Sequence, residues 1–189
     1  FTSALAAQRG ELASPASLTG RVKLDKTGQI QCSTCHDAHN DANGKFLVLS
    51  NRGSAICETC HLKANWTTSP HKTSTNTWNG VAPNPWPKTT YTTVADNACG
   101  NCHTPHSAGL HQRLLSSAAE EQACFNCHNG NVTGNVQADF LKLSHHPVEL
   151  TSGIHDPNEP TVVNNRHVEC VDCHNPHSAG TGPGTLIVH

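Results

Sequence analysis

This chain has no methionine, one tyrosine and only 4% aromatic residues. The first absence leaves no thioether side chain to serve as a metal ligand. The second, with hydrophobic residues at 35%, leaves little to offset the conformational entropy lost on folding. Charge is sparse as well: 12 Lys and Arg stand against 14 Asp and Glu, giving a net charge of −2 with His neutral. No basic patch marks a nucleic-acid surface. The longest apolar runs, Phe46–Leu49 and Leu186–Val188, fall far short of the roughly 20 residues of a membrane-spanning helix. The sequence starts at Phe1 without an initiator Met, consistent with removal of a signal peptide. Two N-x-S/T sequons occur, at Asn65 and Asn131, and matter only where surface proteins are glycosylated.

What the chain has instead is 10 cysteines and 15 histidines in 189 residues. Every cysteine falls in one pattern: Cys32-Ser-Thr-Cys35-His36, Cys57-Glu-Thr-Cys60-His61, Cys99-Gly-Asn-Cys102-His103, Cys124-Phe-Asn-Cys127-His128 and Cys170-Val-Asp-Cys173-His174. C-x-x-C-H is the attachment signature of c-type haem. Two residues between the thiols make one tight turn that presents both sulfurs to the porphyrin vinyl groups. The histidine that follows reaches under the ring as proximal iron ligand. Disulfides, zinc and a redox dithiol are the competing readings. Zinc ribbons pair their CxxC units, and five is odd; a redox dithiol needs neither five copies nor a histidine after each. The expected cofactors are therefore five covalently bound haems.

With methionine excluded, bis-histidine ligation is the expected state of the irons. Ten histidines remain: His39, His71, His106, His111, His145, His146, His155, His167, His177 and His189. His39, His106 and His177 each lie three residues beyond a proximal histidine, too close to bend over the same ring, and are expected to ligate a neighbouring haem. His71 and His146 precede the next CxxCHxxH and are expected as distal ligands too, with His145 competing with His146. His111, His155, His167 and His189 read as solvent-facing or hydrogen-bonding residues. Replacing His39 should leave the haems attached and change the ligation of one. The excess of histidine argues against an open coordination site, and so against an enzyme.

The motifs form a repeat. Its unit is CxxCHxxH, a short apolar segment, CxxCH, and a free histidine, with Leu47-Val48 aligned to Leu114-Leu115 at an offset of 67. The expected organisation is an extended segment 1–31, a first haem-pair repeat 32–71, a Thr/Pro/Trp-rich loop 72–98, a second repeat 99–146 and a truncated third repeat 147–189, with Thr185–Val188 at the apolar segment. Residues 1–31 hold no histidine, whereas His177 is a spare ligand at the other end. Such a chain can complete itself head to tail, and contacts of that kind build open filaments unless they close into rings. The alternative is that His111, His155 or His167 folds back onto the first haem.

Helices are expected over 117–128 and, more weakly, 54–63, and short extended pieces at Val48-Leu49 and Leu186–Val188. Trp66, Trp78 and Trp86 can pack on porphyrin edges. The expected fold class is mostly coil with short helices, wrapped around a stacked haem chain, with little regular secondary structure.

The CxxCH-D-A-H, CxxCH-T-P-H and CxxCH-N-P-H units, with SHHPV before the last, resemble the doubled-CxxCH-motif multihaem cytochromes over roughly residues 29–189. That group and its relatives include extracellular filament subunits with stacked haems and a ligand sometimes lent by the adjacent subunit. The resemblance implies haem attachment outside the cytoplasm and long-range electron transfer. It matches His39, His106 and His177 to the distal histidine after CxxCH, and His146 to the HPV histidine; His71 departs, with SPHK in place of HPV. The expected partners are identical subunits sharing a distal histidine, with redox proteins or extracellular acceptors at the ends. The expected location is extracellular or at the cell surface. A soluble periplasmic carrier donating to a reductase is the alternative.

Overall fold

The computed structural model describes residues 11–18, 20–109, 111–148 and 168–178. Short turns of helix are separated by long irregular stretches. Among the described residues there are isolated β-bridges but no β-strands, so the mostly-coil fold class is what the chain adopts. The longest α-helix among them is Glu120–Phe125. It sits inside the helix expected over 117–128, but it starts later: its N-cap is Ala119, and Ser117 does not cap it. The weaker expectation over 54–63 contracts to Ala55–Glu58, preceded by a 3-10 turn at Arg52–Ser54. A single α-turn leaves most of its end groups without intrahelical partners, so these pieces depend on side-chain and tertiary hydrogen bonds.

The recurrent unit is the CxxCH turn. In all five copies the histidine N–H donates to the carbonyl of the first cysteine at 2.9 Å, as in His36 to Cys32 and His174 to Cys170. The second spacer residue ties each turn down through its side chain. Thr34 Oγ1 accepts from Gln31 N–H and Thr59 Oγ1 donates to the Ala55 carbonyl. Asn101 Nδ2 donates to the Val94 and Ala98 carbonyls and Asn126 Nδ2 to that of Pro85, while Asp172 Oδ2 accepts from Glu169 N–H. Two of the first spacer residues, Ser33 and Gly100, are exposed, whereas Phe125 is buried.

The repeat is visible in hydrogen bonds, and it corrects the register read from the sequence. In the first copy His36 bridges Leu47, Asp37 N–H donates to the Phe46 carbonyl and Val48 N–H to that of Cys35. In the second copy His103 bridges Leu115, Thr104 N–H donates to Leu114 and Ser116 N–H to Cys102. Leu47 therefore corresponds to Leu115, one residue beyond the offset of 67 that aligns the cysteines. The second loop has absorbed an extra residue. Both loops turn through two consecutive left-handed residues, Lys45-Phe46 (φ 55° and 56°) and Arg113-Leu114 (φ 54° and 58°). The extended pieces expected near Val48-Leu49 amount to the single bridge at Leu47, and Leu186–Val188 lies outside the described residues.

Ten of the described residues are buried apolar side chains: three alanines, four valines, Trp66, Trp86 and Phe125. Nine polar or charged residues are buried beside them. The Trp-rich segment joins this core. Trp66 Nε1 donates to Glu58 Oε1 at 2.7 Å and Trp86 Nε1 to Asn101 Oδ1 at 2.8 Å. Thr93 caps the turn Val94–Asn97 by accepting from Asp96 N–H. Ser54 Oγ, 1% exposed, donates to the Asn97 carbonyl and locks the second motif against the third. The sequon at Asn131 is closed to a glycan in this fold, because the residue is 1% exposed and its Nδ2 donates to the Pro83 and Asn126 carbonyls.

Candidate haem sites

Every cysteine is free of disulfide bonds. Among the described residues no group of three or more His, Cys, Asp or Glu is gathered to hold a bare metal ion. The donor sets are instead five separate turns, each with two thiols and one imidazole, spaced for a porphyrin edge and its iron.

At two of the four junctions the turns meet through their first cysteines. Cys57 and Cys99 share a hydrogen bond that raises the Cys57 thiol, and that lowers Cys99 to about 7 despite burial. Cys124 and Cys170 share another, raising Cys124 and lowering Cys170. Burial pushes Cys102 up to about 12 and Cys127 to about 11. The charges of Cys35 and Cys60, and of Cys102 and Cys127, also reach one another. Thioether bonds remove these thiol protons, so what matters for haem is the proximity: first cysteines meet at the second-to-third and fourth-to-fifth junctions, and second cysteines approach at the others.

The proximal histidines are held for ligation. His36 Nδ1 donates to the Lys45 carbonyl at 3.0 Å and His103 Nδ1 to the Arg113 carbonyl at 2.9 Å. A donor bond from one ring nitrogen fixes the tautomer and leaves Nε2 free for a metal. The two acceptors are the left-handed loop residues, where a helical or extended backbone would aim the carbonyl elsewhere. Sequence reasoning missed this role. The signal that carries it is the basic–apolar–Leu triplet, Lys45-Phe46-Leu47 and Arg113-Leu114-Leu115, which also gives the correct register. Burial lowers His103 and His128 below the ordinary imidazole value, which favours the neutral form a ligand needs.

Three of the remaining histidines lie opposite proximal ones. His106 and His36 have ring centroids 5.8 Å apart, His71 and His128 6.3 Å, and His177 and His103 6.1 Å with the rings nearly parallel. His177 is lowered to about 4 by burial, with Lys63 and His103 adding repulsion. Trp66 meets it edge-on at 6.1 Å. His71 Nδ1 donates to the Pro176 carbonyl at 2.8 Å, so the fifth motif orients a histidine placed after the second. His39 and His146 are exposed, and neither has a ring contact among the described residues. His145, also exposed, donates Nδ1 to the Lys142 carbonyl, and His111 Nδ1 donates to that of Leu115 at 3.2 Å. His155, His167 and His189 lie outside the described residues.

A carboxylate sits at the fourth-to-fifth junction. Glu120, 5% exposed, accepts from Val171 N–H at 2.9 Å. Burial, opposed by that bond and reinforced by Glu169 and Glu121, raises it to about 7. The sign follows: a raised carboxyl favours the protonated fold, so its contribution is whole below about 4.5 and is lost between there and about 7. Glu120→Gln should therefore leave stability at pH 4 nearly unchanged and raise it at pH 8 by about 1–2 kcal/mol, after discounting for solvent screening. Denaturant midpoints at the two pH values check this; equal shifts at both would refute the assignment.

These residues fit haem: paired thiols on a uniform turn, imidazoles oriented through Nδ1, and second imidazoles facing three of them. Bound haem supplies an iron that takes and gives up one electron at a time. Two stretches of the chain, residues 26–65 and 92–133, match the family model of the doubled CXXCH motif. No curated protein and no solved structure matches the chain. The matched stretches hold the first four turns, and the uniform geometry of all five agrees with them in supporting c-type haem attachment at paired CxxCH motifs.

Proposed function

We propose that this protein is a pentahaem cytochrome, one haem per CxxCH, that carries electrons over long distances and polymerises head to tail into an extracellular conductive filament. The observation that carries the electron-transfer reading is the sulfur contact between consecutive turns. Cofactors bonded to Cys57 and Cys99, or to Cys124 and Cys170, are neighbours by construction. A redox protein needs such adjacency for electrons to hop from one centre to the next.

The polymer rests on what faces nothing. His39 occupies the same place in its motif as His106 and His177, yet among the described residues it meets no ring. His61 and His174 are proximal histidines with no second imidazole opposite them among the described residues. An identical neighbour supplies complementary groups of both kinds. No helix among the described residues is long and apolar enough to cross a membrane, and the filament reading needs none.

Negative-stain microscopy of native material, with analytical ultracentrifugation, tests this. Filaments are expected, and His39→Ala should keep all five haems while filaments shorten or disappear. Uniform small particles containing five low-spin irons would instead establish a soluble carrier.

A further inference from the structure

We propose that His36 with His106, His128 with His71, and His103 with His177 are the axial pairs of three irons, so that each of these haems is bonded to one motif and capped from another. This rests on the haem reading above and specifies its ligands.

Two imidazoles on opposite sides of one metal are separated by two metal–nitrogen bonds of about 2 Å and two ring half-widths, which puts their centroids about 6 Å apart. The three observed separations are 5.8, 6.3 and 6.1 Å. The composition of the pairs argues against casual contact. The chain has 15 histidines, but these are the three His–His ring contacts among the described residues. Each joins one histidine of a CxxCH turn to one that follows no cysteine. No two proximal histidines pair, and no two free ones do.

The hydrogen bonds agree. His36, His103 and His71 each spend Nδ1 on a backbone carbonyl, of Lys45, Arg113 and Pro176, which leaves Nε2 for metal. The crossing has a rule: the histidine three residues beyond a proximal one serves the motif two places earlier. His106, of the third motif, faces the first; His177, of the fifth, faces the third. The first haem thus finds its sixth ligand within the chain, and from none of His111, His155 or His167.

The experiment uses the holoprotein and reads ferric spin state by electron paramagnetic resonance. His106→Ala should convert one low-spin iron to high-spin. In a background of Cys32→Ala with Cys35→Ala, the same substitution should add no high-spin signal, because the haem it caps is gone. With Cys99→Ala and Cys102→Ala instead, the signal should persist. His106→Met should restore a low-spin iron and raise one reduction potential, guarding against misfolding of the alanine variant. A signal that disappears with Cys99 and Cys102 but survives loss of Cys32 and Cys35 overturns the crossing. So does an Ala variant that stays wholly low-spin together with a Met variant of unchanged potentials. Intact mass reports haem number separately, so a protein carrying no haem at these motifs would defeat the underlying reading rather than the pairing.

Discussion

Produced without haem attachment, the chain should show coil-like circular dichroism and no cooperative thermal transition. Ordering each residue costs about 1–2 kcal/mol. The ten buried apolar side chains among the described residues, three of them alanine, cannot offset that for the stretches they hold. The helices cannot help, since segments of four to six residues are not stable in isolation. Small domains without a sufficient core need a covalent or metal staple, and the CxxCH turns carry chemistry on that scale. Calorimetry of the protein made without haem-attachment machinery, or with all ten cysteines changed to serine, gives the answer. A sharp, two-state melt would show that the side chains suffice and that haem is cargo rather than core.

Asn101→Ala should be among the most damaging single substitutions outside the haem ligands. The side chain is buried, at 8% exposure, and makes three hydrogen bonds: it accepts from Trp86 Nε1 and donates to the Val94 and Ala98 carbonyls. Each bond contributes about 1 kcal/mol, and leaving the partners buried and unsatisfied costs more. The expected loss is about 3–4 kcal/mol, read from the denaturant midpoint of the holoprotein. Ser33→Ala, at an exposed first spacer, should move the midpoint by less than about 0.5 kcal/mol. If the two variants behave alike, the second spacer position carries no special weight.

How far the sequence foretold this molecule depends on the range of the interaction. The CxxCH turn is local: five residues close their own hydrogen bond, so the spacing was enough to read it. The fold class was legible for a compositional reason, since too few apolar residues remain to build sheets or long helices. The register of the repeat was misread by one residue because cysteines and leucines were aligned together. The extra residue in the second loop sits between them, and the bridges His36–Leu47 and His103–Leu115, with the left-handed pairs Lys45-Phe46 and Arg113-Leu114, reveal it. The polar core was illegible. Nothing near Ser54 announces Asn97, and nothing near Trp86 announces Asn101, because these contacts join segments far apart in the chain. The same holds for which histidine faces which. That His106 and His177 share an offset was plain; that each turns toward a motif two places back depends on the path of everything between.

The juxtaposition of His36 and His106 also has a meaning in time. A polypeptide delivered amino terminus first presents the first CxxCH long before residue 106 exists outside the delivery machinery. The third motif stands in the same relation to His177. The fourth does not, because His71 is already present when His128 arrives. On the pairing proposed above, maturation would divide the centres into those whose two histidines are present together and those that wait for the second.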